Sequence, residues 1–223
     1  MHKTTLIIIA ITTLTSLYAF YNKIIFNKFE FSITRIIVKK EILRMFTSAL
    51  IHADLVHLGF NMFSFYSFAM HIERRYGFIV IISLYTVSIL CGSLLSLIKN
   101  RKNGDYRAIG ASGGVCGIIY ASIFLLEGGS IYIFPLPIPI PDWLYAVLFL
   151  GITTFALNRE KNDYIGHDAH LGGALAGMAF AIVYNPAVIM VKWRLILGLL
   201  VPIIFIPIVN LILKKKKNRE KII

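Results

Sequence analysis

Charge is scarce in this sequence: Asp, Glu, Lys and Arg make up 15% of the 223 residues, whereas 57% are apolar. A soluble domain carries about 25% charged residues to cover its surface, so a soluble globular enzyme does not fit this composition. Cysteine is scarce as well. The two present, Cys91 and Cys116, lie inside apolar runs, so the sequence supports neither a disulfide framework nor an inference about redox compartment.

Acidic residues are the rarer charged type, because 11 Asp and Glu stand against 23 Lys and Arg, for a net charge of +12. The basic residues gather between the apolar runs, where lipid phosphates and the positive-inside rule account for them. Basic stretches interleaved with aromatics, which would indicate single-stranded nucleic acid, are missing. We therefore expect membrane lipids, and no nucleic acid, as partners.

Long apolar runs are what the sequence has in abundance. Runs of about 16–21 residues recur, and each is long enough to cross a hydrocarbon core of about 30 Å. The expected spans are Thr4–Tyr21, Leu55–Met70, Phe78–Ile98, Ser112–Leu126, Trp143–Leu157, Ala169–Tyr184 and Leu195–Leu213. The first has a short basic start but no clear small-x-small cleavage site, which favours an uncleaved span over a signal peptide. The pattern predicts an all-α polytopic membrane protein without a soluble domain.

Two connections have a distinctive composition. Residues 22–52 mix basic residues with many Ile and Phe, which is typical of a segment partly sunk in the membrane interface, although a soluble connection is the alternative. Residues 135–141 alternate proline with apolar residues, which forbids a helix interior and favours extended chain.

Polar groups inside three of these spans are candidates for chemistry. Ser112 stands among glycines at the entrance of the fourth span, and His57 and Asn61 share one helix face of the second at i, i+4 spacing. Polar residues within a span are costly and usually face an interior or a water-filled cavity. For His57 and Asn61 alone, an interhelical hydrogen bond that holds the bundle fits as well as a functional site.

His170 opens the sixth span, and Gly173 and Gly177 fall within roughly 60° of the same helix face. Packing of small residues explains the glycines but not the histidine. A neutral imidazole within reach of a serine hydroxyl is a general base for nucleophilic catalysis, so Ser112 and His170 form a plausible dyad. We interpret Asp168 as a boundary residue, with orientation of the site as its alternative role.

Serine hydrolysis also needs hydrogen-bond donors at the oxyanion that forms when the carbonyl is attacked. His57, Asn61 and the backbone N–H of Ser112 are the candidates. Because Ser112 opens its helix, free N–H groups and the positive end of the dipole lie at that place. We expect neither a metal nor another cofactor.

Three motifs resemble, in order and spacing, those of the rhomboid family of intramembrane serine proteases. They are the His52–Asn61 stretch with His57 and Asn61, the run Gly110-Ala111-Ser112-Gly113, and Ala169-His170 followed by Gly173 and Gly177. The resemblance implies Ser112 as the nucleophile, His170 as the base, and His57 and Asn61 near the oxyanion. It also implies a rhomboid-like six-helix transmembrane bundle plus one C-terminal transmembrane helix.

The resemblance sets the expected domains and helix contacts. Residues 1–40 are the first span and the start of the interfacial loop, 41–185 the catalytic core, 186–213 the extra helix and 214–223 a basic tail. Helix packing is assigned to Gly110, Gly113, Gly117, Gly173 and Gly177.

Two positions depart from the family pattern. The first loop often reads Glu-x-Trp-Arg, and here it is Glu41-Ile42-Leu43-Arg44, without the Trp. Some members stack a tyrosine, four residues after the nucleophile, on the base; here that position is Cys116.

Orientation in the membrane is left open by two conflicting rules. The family arrangement puts the N-terminus in the cytoplasm and only five of the 23 Lys and Arg inside, against the positive-inside rule. We favour the family orientation because the site motifs are the more specific signal. The location expected is a bacterial inner (plasma) membrane.

The function implied is an intramembrane serine endopeptidase that cleaves transmembrane segments of other proteins. An inert rhomboid-like protein that binds membrane helices is the alternative, and an intact Ser112 and His170 speak against it. A transporter lacks support, since paired inverted halves and spread carboxylates are missing. The run Gly110–Gly114 also fits the G-x-S-x-G elbow of soluble hydrolases, but that motif requires a soluble sheet.

Overall fold

The computed structural model describes residues 2–126, 128–132, 138–157 and 166–220. Its helices, in chain order, are α1 (Lys3–Tyr21), α2 (Lys23–Phe29), α3 (Ile33–Ile37), α4 (Arg44–Thr47), α5 (Leu55–Tyr76), α6 (Phe78–Asn100), α7 (Ser112–Leu125), α8 (Asp142–Leu157), α9 (His167–Tyr184), α10 (Val188–Val191) and α11 (Trp193–Glu220). The strands are β1 (Phe31–Ser32), β2 (Arg107–Ala108), β3 (Ser130–Tyr132) and β4 (Pro139–Pro141).

The structure is mostly helical rather than all-α, because two short antiparallel pairs interrupt it. Strand β1 pairs with β2, which ties the first loop to the connection before α7. Strand β3 pairs with β4, whose prolines belong to the stretch expected to be extended. Pro135 and Pro137 of that stretch lie outside the described residues.

Each expected apolar run corresponds to a helix, and two helices continue well past their expected C-terminal ends. Helix α5 continues past Met70 to Tyr76. Helix α11 continues to Glu220 and so includes residues 214–220 of the expected basic tail. Among the described residues, α1 and α6 are the two helices that are long and apolar enough to cross a membrane. Shorter apolar helical segments are α7, α8 and the first part of α11, Trp193–Phe205.

Helix α7 lies at the centre of the molecule. Every residue from Gly113 to Leu125 is buried, as expected for a helix that is apolar on all faces. Helices α5, α6 and α9 pack around it. This position places Ser112, the first residue of α7, at one end of the core.

Glycines let α7 and α9 approach closely. A Cβ atom built on Gly173 would lie 2.7 Å from the carbonyl carbon of Gly113, and one built on Gly177 would lie 2.7 Å from that of Gly117. The two helices therefore meet backbone to backbone along these four residues. Because the Gly113–Gly173 and Gly117–Gly177 contacts advance together, the helices run parallel and begin at the same end.

Gly110 does not serve in helix packing, which corrects the expectation from the sequence. It lies in the turn before α7 with φ +113°, a left-handed conformation that only glycine adopts easily. A Cβ atom there would also lie 2.7 Å from Cε1 of His57. The glycine is required by the turn and by the neighbouring imidazole.

The first loop is anchored by Arg44, although it lacks the tryptophan. Arg44 is 3% exposed, and its Nε donates to a Glu41 carboxylate oxygen at 2.5 Å. Its Nη1 donates to the carbonyls of Asn27 and Glu30, each at 2.8 Å. The hydrogen bond from Arg44 lowers the pKa of Glu41. A satisfied, buried guanidinium thus joins three parts of the loop.

Candidate active site

Ser112 and His170 come together at the common end of α7 and α9. The Ser112 Oγ lies 2.7 Å from Nε2 of His170, within hydrogen-bond distance. The two residues are 58 positions apart in the chain, so the contact depends on the parallel packing of their helices. A hydroxyl bonded to an imidazole nitrogen is the arrangement in which the imidazole can remove the hydroxyl proton.

The start of α7 offers backbone donors beside the hydroxyl. The N–H of Val115 bonds the carbonyl of Ala111, so the N–H groups of Ser112, Gly113 and Gly114 precede the first i→i−4 bond of the helix. Ala111, the N-cap residue, makes no side-chain cap. The Ser112 hydroxyl therefore lies at the positive end of a helix dipole, which suits a developing oxyanion.

His57 lies at the site, whereas the side-chain amide of Asn61 is hydrogen-bonded within α5. The imidazole of His57 lies against Gly110, two residues before Ser112. Asn61 is 6% exposed, and its Nδ2 donates to the carbonyl of His57 at 2.9 Å. The pair shares one helix face as expected, with the amide bonded within its own helix.

His52 is a buried site residue to which the sequence reasoning gave no role. It is 0% exposed, and its Nε2 accepts from the N–H of Ala111 at 3.2 Å. Its Nδ1 lies 2.9 Å from Oγ of Ser16, and that hydroxyl donates to the carbonyl of Leu50 at 2.9 Å. Since Nε2 accepts, the proton of the neutral ring lies on Nδ1. The signal in the sequence was its place in the motif before His57.

His52 fixes the backbone directly before the nucleophile and must be neutral to do so. Burial, together with the neighbouring His57 and against the opposing charge of Asp54, lowers the pKa of His52 from 6.5 to about 3. A protonated ring would lose its acceptor for Ala111 and be a buried charge. The geometry and the pKa thus agree on a neutral imidazole.

We expect a pH-dependent stability that His52 causes. Between pH 6.5 and about 3 the unfolded chain binds a proton at His52 that the folded protein does not, so stability falls as the pH decreases through this window. The Tm in detergent should therefore decrease from pH 7 to about pH 4.5. His52→Gln retains an acceptor but cannot titrate, so its Tm should depend less on pH. Equal slopes for both proteins would contradict this role.

Asp168 is buried at the start of α9, but its carboxylate bonds away from the base. It accepts from the Tyr106 hydroxyl at 3.0 and 3.1 Å and from the Asn100 side-chain amide. Burial, and then the charge of Asp168, raises the pKa of Tyr106. Asp168 therefore ties the start of α9 to the end of α6 and to the loop that follows, which matches the interpretation as a boundary residue.

An aromatic ring from α8, to which the sequence analysis gave no role, lies beside His170. Phe149 on α8 has its ring centroid 6.0 Å from that of His170, at an interplanar angle of 34°. Cys116, at the position where some relatives carry a stacking tyrosine, is buried. The sequence showed only that position 116 lacks the tyrosine ring that some relatives have there.

A cleft of about 530 Å³ lies between α5, α7 and α8. Its walls include Phe60, Phe63, Ser67, Ile119 and Tyr145. The cleft follows the later part of α7, from Ile119 to Leu126, and Ser112 and His170 are not among its lining residues. Its largely apolar lining suits an elongated apolar ligand. Within the described ranges, no group of three His, Cys, Asp or Glu side chains could hold a metal ion.

Comparison with known proteins gives concordant matches. A Rhomboid domain family model matches residues 39–187, more than half of the chain. RHOMBOID-like protein 6, mitochondrial, of Arabidopsis thaliana is 32% identical over 147 residues, which cover 64% of this chain and 44% of that protein. Rhomboid protein 1, mitochondrial, of Saccharomyces cerevisiae is 32% identical over 149 residues, covering 63% and 41%.

A bacterial relative is matched over more of its own length. Rhomboid protease GlpG of Haemophilus influenzae is 24% identical over 146 residues, which cover 64% of this chain and 70% of that protein. The matched region spans less than half of the Arabidopsis and yeast proteins. The residues that the family model matches, 39–187, include Ser112 and His170.

Proposed function

The chain belongs to the rhomboid family, and on that premise we propose that it is an intramembrane serine endopeptidase. Its substrates are transmembrane proteins, cleaved at peptide bonds in or near their membrane-spanning segments. The observation that carries the proposal is the 2.7 Å contact between Ser112 Oγ and His170 Nε2. An inert relative that only binds helices needs neither side chain.

The dyad acts in two steps. In the first, His170 Nε2 takes the hydroxyl proton of Ser112 while Oγ attacks the substrate carbonyl carbon, and the resulting oxyanion is stabilised by donors around it. Collapse of this intermediate breaks the C–N bond, and His170 returns its proton to the leaving amine. In the second step His170 activates a water that hydrolyses the Ser112 ester, which releases the acid and restores the hydroxyl.

The oxyanion donors proposed are the N–H of Ser112 and the side chains of His57 and Asn61. The Ser112 N–H is supported by its place in the first turn of α7. His57 is supported by its contact with the turn before α7. Asn61 Nδ2 has a second N–H besides the one that bonds the His57 carbonyl, and this second N–H is the donor proposed for the oxyanion.

For the architecture we propose six core transmembrane helices, α1 and α5 to α9, with α11 as the extra C-terminal one. The proposed catalytic core comprises residues 41–185, and the extra helix, α11, begins within residues 186–213. The protein is an integral membrane protein, as its family is. Its relatives include mitochondrial and bacterial proteins, so a bacterial inner membrane is a proposal that rests on the GlpG match alone.

Labelling with a fluorophosphonate tests the proposal. The reagent forms a covalent bond to an activated serine, so we expect wild-type protein in detergent to be labelled at Ser112. Ser112→Ala should not be labelled, and mass spectrometry of the peptide should place the adduct on Oγ. Folded wild-type protein that is not labelled would favour the inert helix-binding relative instead. An equally labelled Ser112→Ala variant would mean that the reactive nucleophile is not Ser112, which contradicts the proposed dyad.

A further inference from the structure

The base His170 is contacted on one side by a ring from α8. The Phe149 ring centroid lies 6.0 Å from the imidazole centroid, at 34°, which is within the range of favourable aromatic pairs. The imidazole also meets the His167 ring edge-on, with centroids 6.1 Å apart, and its Nε2 lies in hydrogen-bond distance of Ser112 Oγ. A ring in this place restricts rotation of the imidazole about its side-chain bonds.

Phe149 is itself held by two tyrosines. The Tyr145 ring stacks on it at 5.7 Å and 19°, and the Tyr120 ring lies 6.4 Å away. The Tyr120 hydroxyl donates to the carbonyl of Ala146 at 2.6 Å, a buried bond that joins α7 to α8. The position of Phe149 is thus set by the contact between the nucleophile's helix and α8.

Cys116 cannot place a ring against the base. It lies one helical turn after Ser112 on α7 and is buried, and the ring that His170 meets comes from α8 instead. Tyr145, the outer ring of the stack, also lines the cleft between α5 and α8. The same helix therefore forms a wall of the cleft and holds the base.

We propose that Phe149 is a positioning residue that holds the His170 imidazole in line with Ser112, with Tyr145 as its support. The inference rests on the proposed function, because it concerns the rate of the same dyad. Loss of the ring leaves the imidazole free to turn out of line, and misplacement by about 1 Å costs on the order of 10²-fold in rate. We expect the effect on turnover, because the ring acts through its contact with the base.

The test compares Phe149→Leu, which removes the ring but keeps apolar bulk, with Phe149→Tyr, which keeps the ring. Phe205→Leu is the matched control, because Phe205 is 61% exposed on α11. For a transmembrane substrate we expect kcat of Phe149→Leu to fall about tenfold or more with KM and Tm nearly unchanged. Fluorophosphonate labelling of Ser112 should slow by a similar factor. Phe149→Tyr and Phe205→Leu should stay within about twofold of wild type.

Two outcomes separate this inference from the proposed function. Wild-type protein that is not labelled would overturn the proposed function, and the inference with it. Wild-type labelling with an equally fast Phe149→Leu variant would overturn the inference alone. If Phe149→Leu does not fold, the Tyr145→Leu variant tests the proposal instead. It removes the ring that supports Phe149 and should lower kcat several-fold. An unchanged kcat would contradict the proposal.

Discussion

Ser112→Ala and His170→Ala are each expected to abolish cleavage of a transmembrane substrate, by about 10⁴-fold or more, while the protein still folds. The alanine at 112 removes the nucleophilic oxygen, and the alanine at 170 removes the acceptor that lies 2.7 Å from it. Loss of either half of a nucleophile–base pair costs several orders of magnitude in turnover. The measurement is the cleavage rate in liposomes, with Tm in detergent as the check of folding.

The structure offers a matched control for the serine change. Ser122 lies on the same helix, is 5% exposed, and donates its hydroxyl to the carbonyl of Ile118 at 2.9 Å. Ser122→Ala removes a buried hydroxyl from α7 without touching the dyad, so its activity should stay close to wild type. The double variant Ser112→Ala/His170→Ala should be no slower than either single one, because the two side chains act as a unit. Activity within about tenfold of wild type in either single variant would refute the dyad.

The helices could be predicted from the sequence because apolar runs of membrane length leave few alternatives. The end of α5 could not. A charged residue usually ends an apolar span, but the Glu73 carboxylate accepts the N–H groups of Thr4 and Thr5 at 2.9 Å each and the Thr5 hydroxyl at 2.6 Å. The two N–H donors belong to the first turn of α1, which has no partner for them within the helix. The partner lies 68 residues away, so no local pattern reveals it.

The candidate site was predictable where spacing alone determines it. One serine at a helix start and one histidine on a glycine face led to the pair that the structure brings together, Ser112 and His170. The residues that support this pair, His52 and Phe149, were not predictable in the same way. His52 holds the N–H of Ala111 from a loop, where no periodicity applies. Phe149 is one apolar residue among many in its helix, and only the packing of α8 brings it to His170.

Gly173 and Gly177 are constrained more strictly than small-residue packing by itself implies. That rule treats glycine and alanine alike, whereas this contact leaves no room for a methyl group. The built Cβ atoms lie 2.7 Å from the carbonyl carbons of Gly113 and Gly117 and closer still to the oxygens. Backbone atoms cannot move aside as a flexible side chain does, so even alanine must separate the helices.

We therefore expect Gly173→Ala and Gly177→Ala to lower both activity and Tm. Forcing a methyl group into such a contact costs about 1–3 kcal/mol or more. Gly59→Ala is the matched control: a Cβ atom on this α5 glycine meets nothing within 4 Å, and alanine is favoured over glycine in a helix by about 1 kcal/mol. Its Tm should be equal to or higher than that of wild type.

Gly173→Val should be as inactive as His170→Ala, and less stable than it. Gly173 follows His170 by three residues on α9 and meets the backbone of Gly113, the neighbour of Ser112. A branched side chain there pushes α9 from α7 at the level of the dyad and lengthens the bond between the base and the hydroxyl, and a shift of about 1 Å already costs on the order of 10²-fold. The cleavage rate and Tm in detergent measure the two effects. A fully active, equally stable Gly173→Val protein would mean that α7 and α9 do not meet on this face, and the contact between Ser112 and His170 would lose its structural basis.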